Sequence, residues 1–231
     1  MLMLFSWPEM FGLADNNPYG LKTFAFLRLC RIPFRHEHVM DASRAPHGQL
    51  PYIADGDRII GDSDAIIAYL IRRDGLRIDA ALTPAQRDTD HLLRRMLDDL
   101  YWVMSYSRWQ DDRFWPAFRD AFLRFHPEVA PETLEAARAY NFKRYHAQGI
   151  GRLAPEEAFA RGIADLEVLA HLVPAEGFLF GREPCSTDAG LYGFLANILF
   201  FEIDTPLRRC LEARPNLVAH GRAMHARVTG G

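Results

Sequence analysis

One short stretch constrains the fold of this 231-residue chain more than any other. Gly48-Gln49-Leu50-Pro51 ends a loop and is followed at once by the apolar residues Tyr52-Ile53. Nine residues after Ile53, Asp62-Ser63 precedes a segment with helical periodicity, and a turn at Gly56 lies between the two. Proline is tolerated at the first residue of a strand, and Asp and Ser are favoured at the start of a helix. The stretch therefore predicts a loop, a β-hairpin and an amphipathic helix, in that order.

The residues before this stretch complete a small mixed unit. Met3–Ser6 is an apolar run that predicts a first strand, and His36–Val39 predicts a second. Between them, Asn17 is a good N-cap and Pro18 suits the first position of a helix that ends at Ile32-Pro33. Together with the hairpin and the helix over Ser63–Arg73, the predicted order is β-α-β and then β-β-α within residues 1–75.

After a linker over residues 74–83, strand signals are scarce and helical spacing dominates. Prolines stand near several predicted helix starts, where a missing N–H costs little. Six helices are predicted, over Pro84–Arg108, Arg113–Phe125, Pro131–Gln148, Pro155–Leu172, Thr187–Leu199 and Pro215–Val228. The fold class predicted is α+β, with a mixed N-terminal domain over residues 1–75 and an all-helical C-terminal domain over residues 84–231.

Composition and charge argue against several classes of protein. The formal net charge is −3 without a long run of like charge, which argues against a nucleic-acid partner. The most apolar run, Phe194 to Phe201, is shorter than the about 20 residues that span a membrane, so no membrane partner is expected. The start of the chain lacks the pattern of a secretory signal. Three well-separated cysteines favour reduced thiols and a cytoplasmic location (Cys30, Cys185 and Cys210).

Taken together, these motifs resemble those of the soluble glutathione S-transferases, and most closely their Fax- and metaxin-like branch. Asn17 to Lys22 is similar to the family segment Ser-Pro-Phe-Cys-Leu-Lys, and Phe180 to Ala189 is similar to a Gly-x-x-Pro-Thr-x-x-Asp signature. Tyr106 to Trp109 and Gly149 to Arg152 match the Fax-like branch. The resemblance implies a thioredoxin-like N-terminal domain, an all-α C-terminal domain of the glutathione transferase type, and a homodimer.

The resemblance also implies that glutathione is the co-substrate and indicates where it binds. Leu50 would offer its backbone to an extended peptide if Pro51 is cis, and Gln49 would contact the same ligand. Ser63 would bind the γ-glutamyl carboxylate at a helix N-terminus, with Asp62 near the α-amino group. The alternatives are an ordinary trans proline at a strand start and a plain helix cap.

The catalytic candidate is Asn17, which stands where related classes carry Ser or Cys. An amide can donate a hydrogen bond to a thiolate, but it is neither a nucleophile nor a base. Ser6 and Tyr19 are the other two candidates for this donor. The alternative is that Asn17 only caps its helix.

The second substrate is expected to be a small-molecule electrophile on the first long helix. Tyr101, Met104 and Arg108 fall at i, i+3 and i+7 and share a face, with Trp109 beside them. The face is apolar and would suit a hydrophobic electrophile, or an anionic one held by Arg108. Helix-spaced aromatic residues can equally be plain core.

Four further residues receive structural predictions. Cys185 stands in a helix-cap position and Asp188 is expected to bind backbone N–H groups in the core. Arg152 is expected to pair with Glu156 or Glu157. His36 and His38 are expected to be exposed to solvent, and no metal site is predicted.

Three functions stay open at this point. The first is conjugation of the glutathione thiolate to a hydrophobic electrophile, in which the peptide brings the nucleophile. The second is a non-catalytic module that keeps the fold and binds glutathione or a protein partner. The third is glutathione-dependent reduction of disulfides or peroxides.

Overall fold

The computed structural model describes residues 1–230. Its four strands are β1 (Leu2–Ser6), β2 (Phe34–His38), β3 (Tyr52–Asp55) and β4 (Arg58–Gly61). Its nine helices within the described residues are α1 (Pro18–Leu29), α2 (Ser63–Asp74), α3 (Pro84–Trp109), α4 (Trp115–Phe125), α5 (Pro131–Gln148), α6 (Pro155–Leu172), α7 (Ser186–Leu199), α8 (Pro206–Glu212) and α9 (Pro215–Thr229). The predicted α+β class is confirmed.

The four strands form one mixed sheet in the order β2-β1-β3-β4. β1 runs parallel to β2 and antiparallel to β3, and β3 and β4 form the hairpin. Leu4 pairs with Ile53 at the centre of the sheet, and both side chains are fully buried against α1 and α2. The crossover from β1 to β2 runs through α1, so the start of α1 lies at the same end of the sheet as the start of β3.

α7 is the central helix of the molecule, because every one of its residues is buried. It packs on α1 from the N-terminal side and on α3 and α9 from the helical side. Gly193 permits the close approach to α1, since a Cβ there would lie 2.3 Å from the carbonyl oxygen of Pro18. The helices therefore hold the beginning of α1 firmly in place.

The start of α7 is fixed by a buried acid, as predicted for Asp188. Its carboxylate accepts hydrogen bonds from the backbone N–H of Leu179 (2.9 Å) and of Cys185 (2.8 Å). His220 Nε2 lies 2.8 Å from the same carboxylate. Although burial raises the pKa of Asp188, these donors hold it below the ordinary value. The group joins α7, α9 and the preceding loop within the core.

The structure corrects several details of the sequence reading. α8 was missed, although Thr205 caps it by accepting a hydrogen bond from Arg208 N. Arg152 does not pair with either glutamate; its Nε donates to the carbonyl oxygen of His146 (2.9 Å). Glu156 instead pairs with Arg113 (3.0 Å), and Glu157 accepts from the N–H of Ala154 at the start of α6. These partners come from loop geometry that spacing along the chain does not reveal.

Within residues 1–230, no helix has both the length and the apolar character to cross a membrane.

Candidate functional site

A cleft of about 760 Å³ opens where the N-terminal ends of α1, α2 and β3 meet the helices α3 and α5. Its floor is formed by the loop before β3 and by the first residues of α2. Its far wall is formed by aromatic residues of α3 and α5. The predicted residues Asn17, Gln49, Leu50, Pro51, Asp62 and Ser63 all line this cleft.

The loop before β3 presents its backbone to the cleft. The Leu50-Pro51 peptide bond is cis, as the sequence motif predicted. Leu50 is buried and Gln49 is exposed, and both line the cleft together with His47. A peptide segment lying along this loop would meet main-chain groups rather than long side chains.

The start of α2 is capped by an acid through one of its two carboxylate oxygens. Asp62 Oδ1 accepts hydrogen bonds from the N–H of Asp64 (3.0 Å) and of Ala65 (2.9 Å). Ser63, the first helical residue, is buried and lines the cleft. A helix N-terminus carries partial positive charge and unpaired N–H groups, which favour a bound carboxylate. The cap and the binding site predicted for this motif are therefore compatible.

α1 begins at the same cleft. Asn17 is its N-cap, and Oδ1 of Asn17 accepts a hydrogen bond from the N–H of Tyr19 (3.1 Å). This bond fixes which end of the amide faces the helix, because only the oxygen can accept. Within residues 1–230, Nδ2 of Asn17 has no hydrogen-bond partner, so it remains available as a donor at the cleft.

The two other candidate donors are engaged elsewhere. Ser6 is fully buried, and its Oγ lies 2.8 Å from His36 Nε2. The hydroxyl of Tyr19 donates to Asp98 (3.0 Å), and burial together with this carboxylate raises the pKa of Tyr19 far above its ordinary value. Of the three candidates, Asn17 is thus the one that lines the cleft with a donor not bonded to another described residue.

A second cavity of about 280 Å³ adjoins the cleft and is mostly apolar. Its walls come from α3, α4 and α5. The four residues predicted for the second substrate all line it (Tyr101, Met104, Arg108 and Trp109). Five residues line both spaces, so the cleft and the cavity are continuous (Trp7, Asn17, Tyr101, Tyr140 and Arg144).

Comparison with known proteins identifies the family. A glutathione S-transferase N-terminal domain model matches residues 18–114, and a glutathione S-transferase C-terminal domain model matches residues 162–224. An isoprene-epoxide–glutathione S-transferase of Rhodococcus sp. (strain AD45) is 32% identical over 94% of this chain and 95% of its own length. The chain belongs to the glutathione S-transferase superfamily.

The predicted branch of this superfamily is confirmed as well. Failed axon connections of Drosophila melanogaster is 28% identical over 90% of the chain, which spans about half (53%) of that protein's length. A metaxin-1 homologue of Caenorhabditis briggsae matches at 25% identity over 92% of the chain and 69% of its own length.

Solved structures share the fold at low identity. A glutathione S-transferase of Methylobacillus flagellatus, solved with glutathione bound, superposes with a TM-score of 0.59 at 14% identity. The match covers 100% of this chain and 98% of that one. This transferase fold includes the helical half, which brings Arg108 to the loop before α1.

The sequence allowed, as one of two alternatives, an anionic electrophile held by Arg108, but the guanidinium of Arg108 bonds within the protein. It is buried, it donates to the carbonyl oxygens of Asn16 and Asn197 (2.8 Å to Asn197), and it lies 4.5 Å from the centre of the Phe201 ring. Asn197 in turn donates to the carbonyl oxygen of Asp15 (3.4 Å). Arg108 therefore holds in place the loop before α1, which carries Asn17.

Asp15 completes this arrangement, which we call the Arg108 clamp (Asp15, Arg108 and Asn197). Its Oδ1 accepts a hydrogen bond from the N–H of Asn17 (2.6 Å). Gly20 leaves room for the carboxylate, because a Cβ there would lie 1.6 Å from Oδ2. Burial raises the pKa of Asp15 well above its usual value, although Ser6, the Asn17 N–H and Arg108 oppose this.

Sequence reasoning missed one residue that lines the second cavity. Arg144 on α5 lines both the cleft and the second cavity. Its Nη1 donates to Oδ1 of Asn141 (2.9 Å), and its guanidinium lies 5.3 Å from the centre of the Trp102 ring. The i, i+4 spacing of Tyr140 and Arg144 was available as a signal, but nothing local indicates that this face of α5 meets the cleft.

One of the two histidines of β2 differs from the prediction. His38 is exposed, but His36 is half-buried, and burial together with His38 lowers its pKa to about 4. The two rings lie 4.2 Å apart. Within residues 1–230, no three His, Cys, Asp or Glu side chains come together as a metal site requires.

Proposed function

We propose that this protein is a glutathione transferase that joins the thiolate of glutathione to a small hydrophobic electrophile. The observation that carries the proposal is the junction of two unlike spaces at Asn17. On one side is a polar cleft built from main-chain groups and a helix N-terminus. On the other is a smaller apolar cavity. The nucleophile and the electrophile would meet between them.

The donor set of the cleft fits glutathione. The N-terminus of α2, with the hydroxyl of Ser63, suits the γ-glutamyl carboxylate, and the exposed carboxylate of Asp62 suits the α-amino group. The backbone of Leu50 suits the cysteinyl residue as an added strand, with Gln49 nearby. Together they would hold the sulfur toward the start of α1.

Asn17 would then stabilise the thiolate. A free thiol is mostly protonated at neutral pH, and lowering its pKa by one unit takes about 1.4 kcal/mol. A hydrogen bond from Nδ2, together with the N-terminus of α1, is of the right size. The same side chain caps α1 through its oxygen, so one amide serves both the helix and the reaction.

The apolar cavity and one relative support the choice of electrophile. At about 280 Å³, the cavity lies near the lower end of ligand pockets, which suits a small molecule. The Rhodococcus relative, by its name, acts on an isoprene epoxide. We therefore infer a short, mostly hydrocarbon electrophile. The homodimer implied by the family and the cytoplasmic location inferred from the cysteines stay predictions.

The test separates binding from chemistry by substituting Asn17. Asn17→Asp keeps an oxygen that accepts from the Tyr19 N–H but removes the donor and adds negative charge beside the thiolate. We expect glutathione affinity, measured by calorimetry, to fall less than fivefold, while kcat/KM with a panel of epoxides and alkyl halides falls about 100-fold. Asn17→Ser, which can both accept and donate, should recover most of the activity.

Three results would change the conclusion. Glutathione binding without turnover of any electrophile in the wild-type protein would favour the non-catalytic module, a role that the Failed axon connections relative makes the second candidate. Reduction of glutathione disulfide or of a peroxide in the same assays would favour the reductase. Absence of any binding at 10 mM glutathione, a high concentration chosen for the assay and roughly 100-fold above a ~0.1 mM Kd, would remove all glutathione-dependent functions.

A further inference from the structure

Arg144 is a cation that faces both spaces and has no acidic partner. It is half-buried, and within residues 1–230 no carboxylate forms an ion pair with it. Among the described residues, its one hydrogen bond is to the neutral amide of Asn141, which itself donates to the carbonyl oxygen of Ala137 (2.9 Å). The rings of Trp102 and Tyr140 hold the guanidinium in place at 5.3 and 5.8 Å. A guanidinium held in this way is oriented without being neutralised.

The acids that line the cleft each accept at least one hydrogen bond from within the protein, and none of them pairs with Arg144. Asp62 caps α2, and Asp98 accepts from the hydroxyl of Tyr19. Asp41 accepts from the N–H and the hydroxyl of Ser43. Arg108, the other arginine of the apolar cavity, donates from both terminal amino groups to main-chain carbonyls, and its Nε is buried without a partner. Arg144 is therefore the one lining arginine, among the described residues, left to meet negative charge on a ligand.

We propose that Arg144 holds the electrophile's oxygen as that oxygen gains negative charge, so that the second cavity is built for epoxides. This rests on the proposed transferase function and names its substrate class. The thiolate forms a C–S bond to a ring carbon, the C–O bond breaks, and its electron pair goes to the oxygen. The guanidinium donates hydrogen bonds to the alkoxide, which then takes a proton from water. Donors aimed at developing charge in an apolar space stabilise a transition state strongly.

The first experiment measures binding and needs no turnover. Two stable conjugates serve as probes, S-(2-hydroxy-2-phenylethyl)glutathione and S-(2-phenylethyl)glutathione, which differ by one hydroxyl group. We expect the wild-type protein to bind the hydroxylated conjugate about fivefold more tightly. Arg144→Met should abolish this preference and leave the affinity for glutathione itself within twofold. The control is Arg161→Met, which removes an exposed arginine of α6 that lines neither space.

The second experiment measures turnover with a matched pair of electrophiles. Styrene oxide leaves an alkoxide on opening, whereas benzyl chloride releases a weakly basic chloride. We expect Arg144→Met to lower kcat/KM for styrene oxide by about 100-fold and for benzyl chloride by less than about fivefold. Arg161→Met should change neither. Arg144→Lys should recover part of the epoxide rate, because the charge returns without the planar fork.

Three outcomes overturn the proposal, and each is distinct. An equal loss of affinity for glutathione and both conjugates would mean that Arg144 binds a carboxylate of glutathione. An equal loss of rate for both electrophiles would mean that it has no role specific to oxygen. A wild-type protein without preference between the conjugates would exclude the contact itself. If the wild-type protein shows that preference but turns over no electrophile, the transferase function fails while the Arg144 contact stands.

Discussion

The cleft and the apolar cavity adjoin each other but are lined by different kinds of group. The cleft combines main-chain groups, two helix caps and several polar side chains, and most of its lining residues lie between residues 41 and 63. The apolar cavity is walled by side chains of α3, α4 and α5, spread from residue 101 to residue 144. A cleft made from main chain presents the same groups whatever the neighbouring side chains are, whereas a cavity made from side chains changes with each substitution. The first suits a constant substrate and the second a variable one.

Asn17 and the Arg108 clamp join these two spaces. The clamp reaches from α3 and α7 to the loop before α1, so a residue of the cavity wall determines the geometry of the cleft. The two spaces are therefore separate for the residues proposed to bind glutathione, but the Arg108 clamp couples them. Substitutions can test both statements.

The largest effect is expected from Arg108→Met, which should damage both spaces at once. It removes the donors of two buried carbonyl oxygens and leaves Asp15 without a nearby cation, at a cost of about 3–5 kcal/mol in the free energy of unfolding. Urea unfolding measures this, and glutathione titration should show weaker binding although Arg108 does not line the cleft. Arg161→Met is the control, with a change within about 0.5 kcal/mol. Unchanged glutathione affinity in a destabilised Arg108→Met variant would disprove the claim that the Arg108 clamp couples the two spaces.

A second substitution, Asp188→Asn, should lower stability while sparing both spaces. It leaves a buried N–H partly unpaired, and we expect a loss of about 2–3 kcal/mol at pH 7. Since the folded pKa of Asp188 lies below its unfolded value, its contribution is present above about pH 4 and is lost as the pH falls through the folded pKa. The unfolding free energy of the variant should therefore fall less steeply with acid than that of the wild type.

Asp57→Asn, in the exposed hairpin turn, is the control for this experiment. Its stability should follow the wild-type curve at every pH. Parallel curves for wild type and Asp188→Asn would contradict the role assigned to the buried carboxylate.

Ser63→Ala should affect the cleft alone. We expect glutathione affinity to fall more than tenfold, or about 1.4 kcal/mol, because the helix N-terminus loses its hydroxyl donor. The KM for the electrophile at saturating glutathione should stay within twofold. Ser43→Ala is the matched control, since Ser43 lines the same cleft but bonds to Asp41. Equal losses in both variants would mean that α2 is not the carboxylate site.

Ala137→Phe should affect the apolar cavity alone and gives the smallest effect. The larger side chain fills part of the space that Ala137 lines, so kcat/KM for a bulky aromatic electrophile should fall about fivefold, or ~1 kcal/mol. Glutathione affinity should not change. Ala136→Phe, on the exposed side of α5, is the control. A fall in glutathione affinity would show that the two spaces are not independent here.

The fold was predictable because its signals are local. The Gly48 to Ser63 stretch predicted the loop, the hairpin and α2, and all are present at those residues. Proline and cap residues placed most helices of the second half, but α8 was too short to show helical periodicity. β2 was placed two residues late, because its alternation is weak at a half-exposed edge of the sheet.

The site was predictable only where it depends on the same local signals. Asn17 and Asp62 are recognisable as caps from their neighbours. Arg108 was chosen correctly as a residue of the second cavity wall, but its role as a substrate cation was wrong. Arg144 was missed although it faces the same space. Nothing in the residue spacing of α3 or α5 shows that Arg108 bonds to the main chain whereas Arg144 remains available to a ligand.

The sequence by itself therefore determined the order of elements, the caps of α1 and α2, and the loop at the cis proline, because each depends on residues within a few positions of one another. Which arginines bond within the protein and which remain available to a ligand depends on the tertiary structure. The partners of Arg108 are carbonyl oxygens 92 and 89 residues away along the chain. A cation's availability depends on what is packed against it in space, and that is set by how the helices pack on one another.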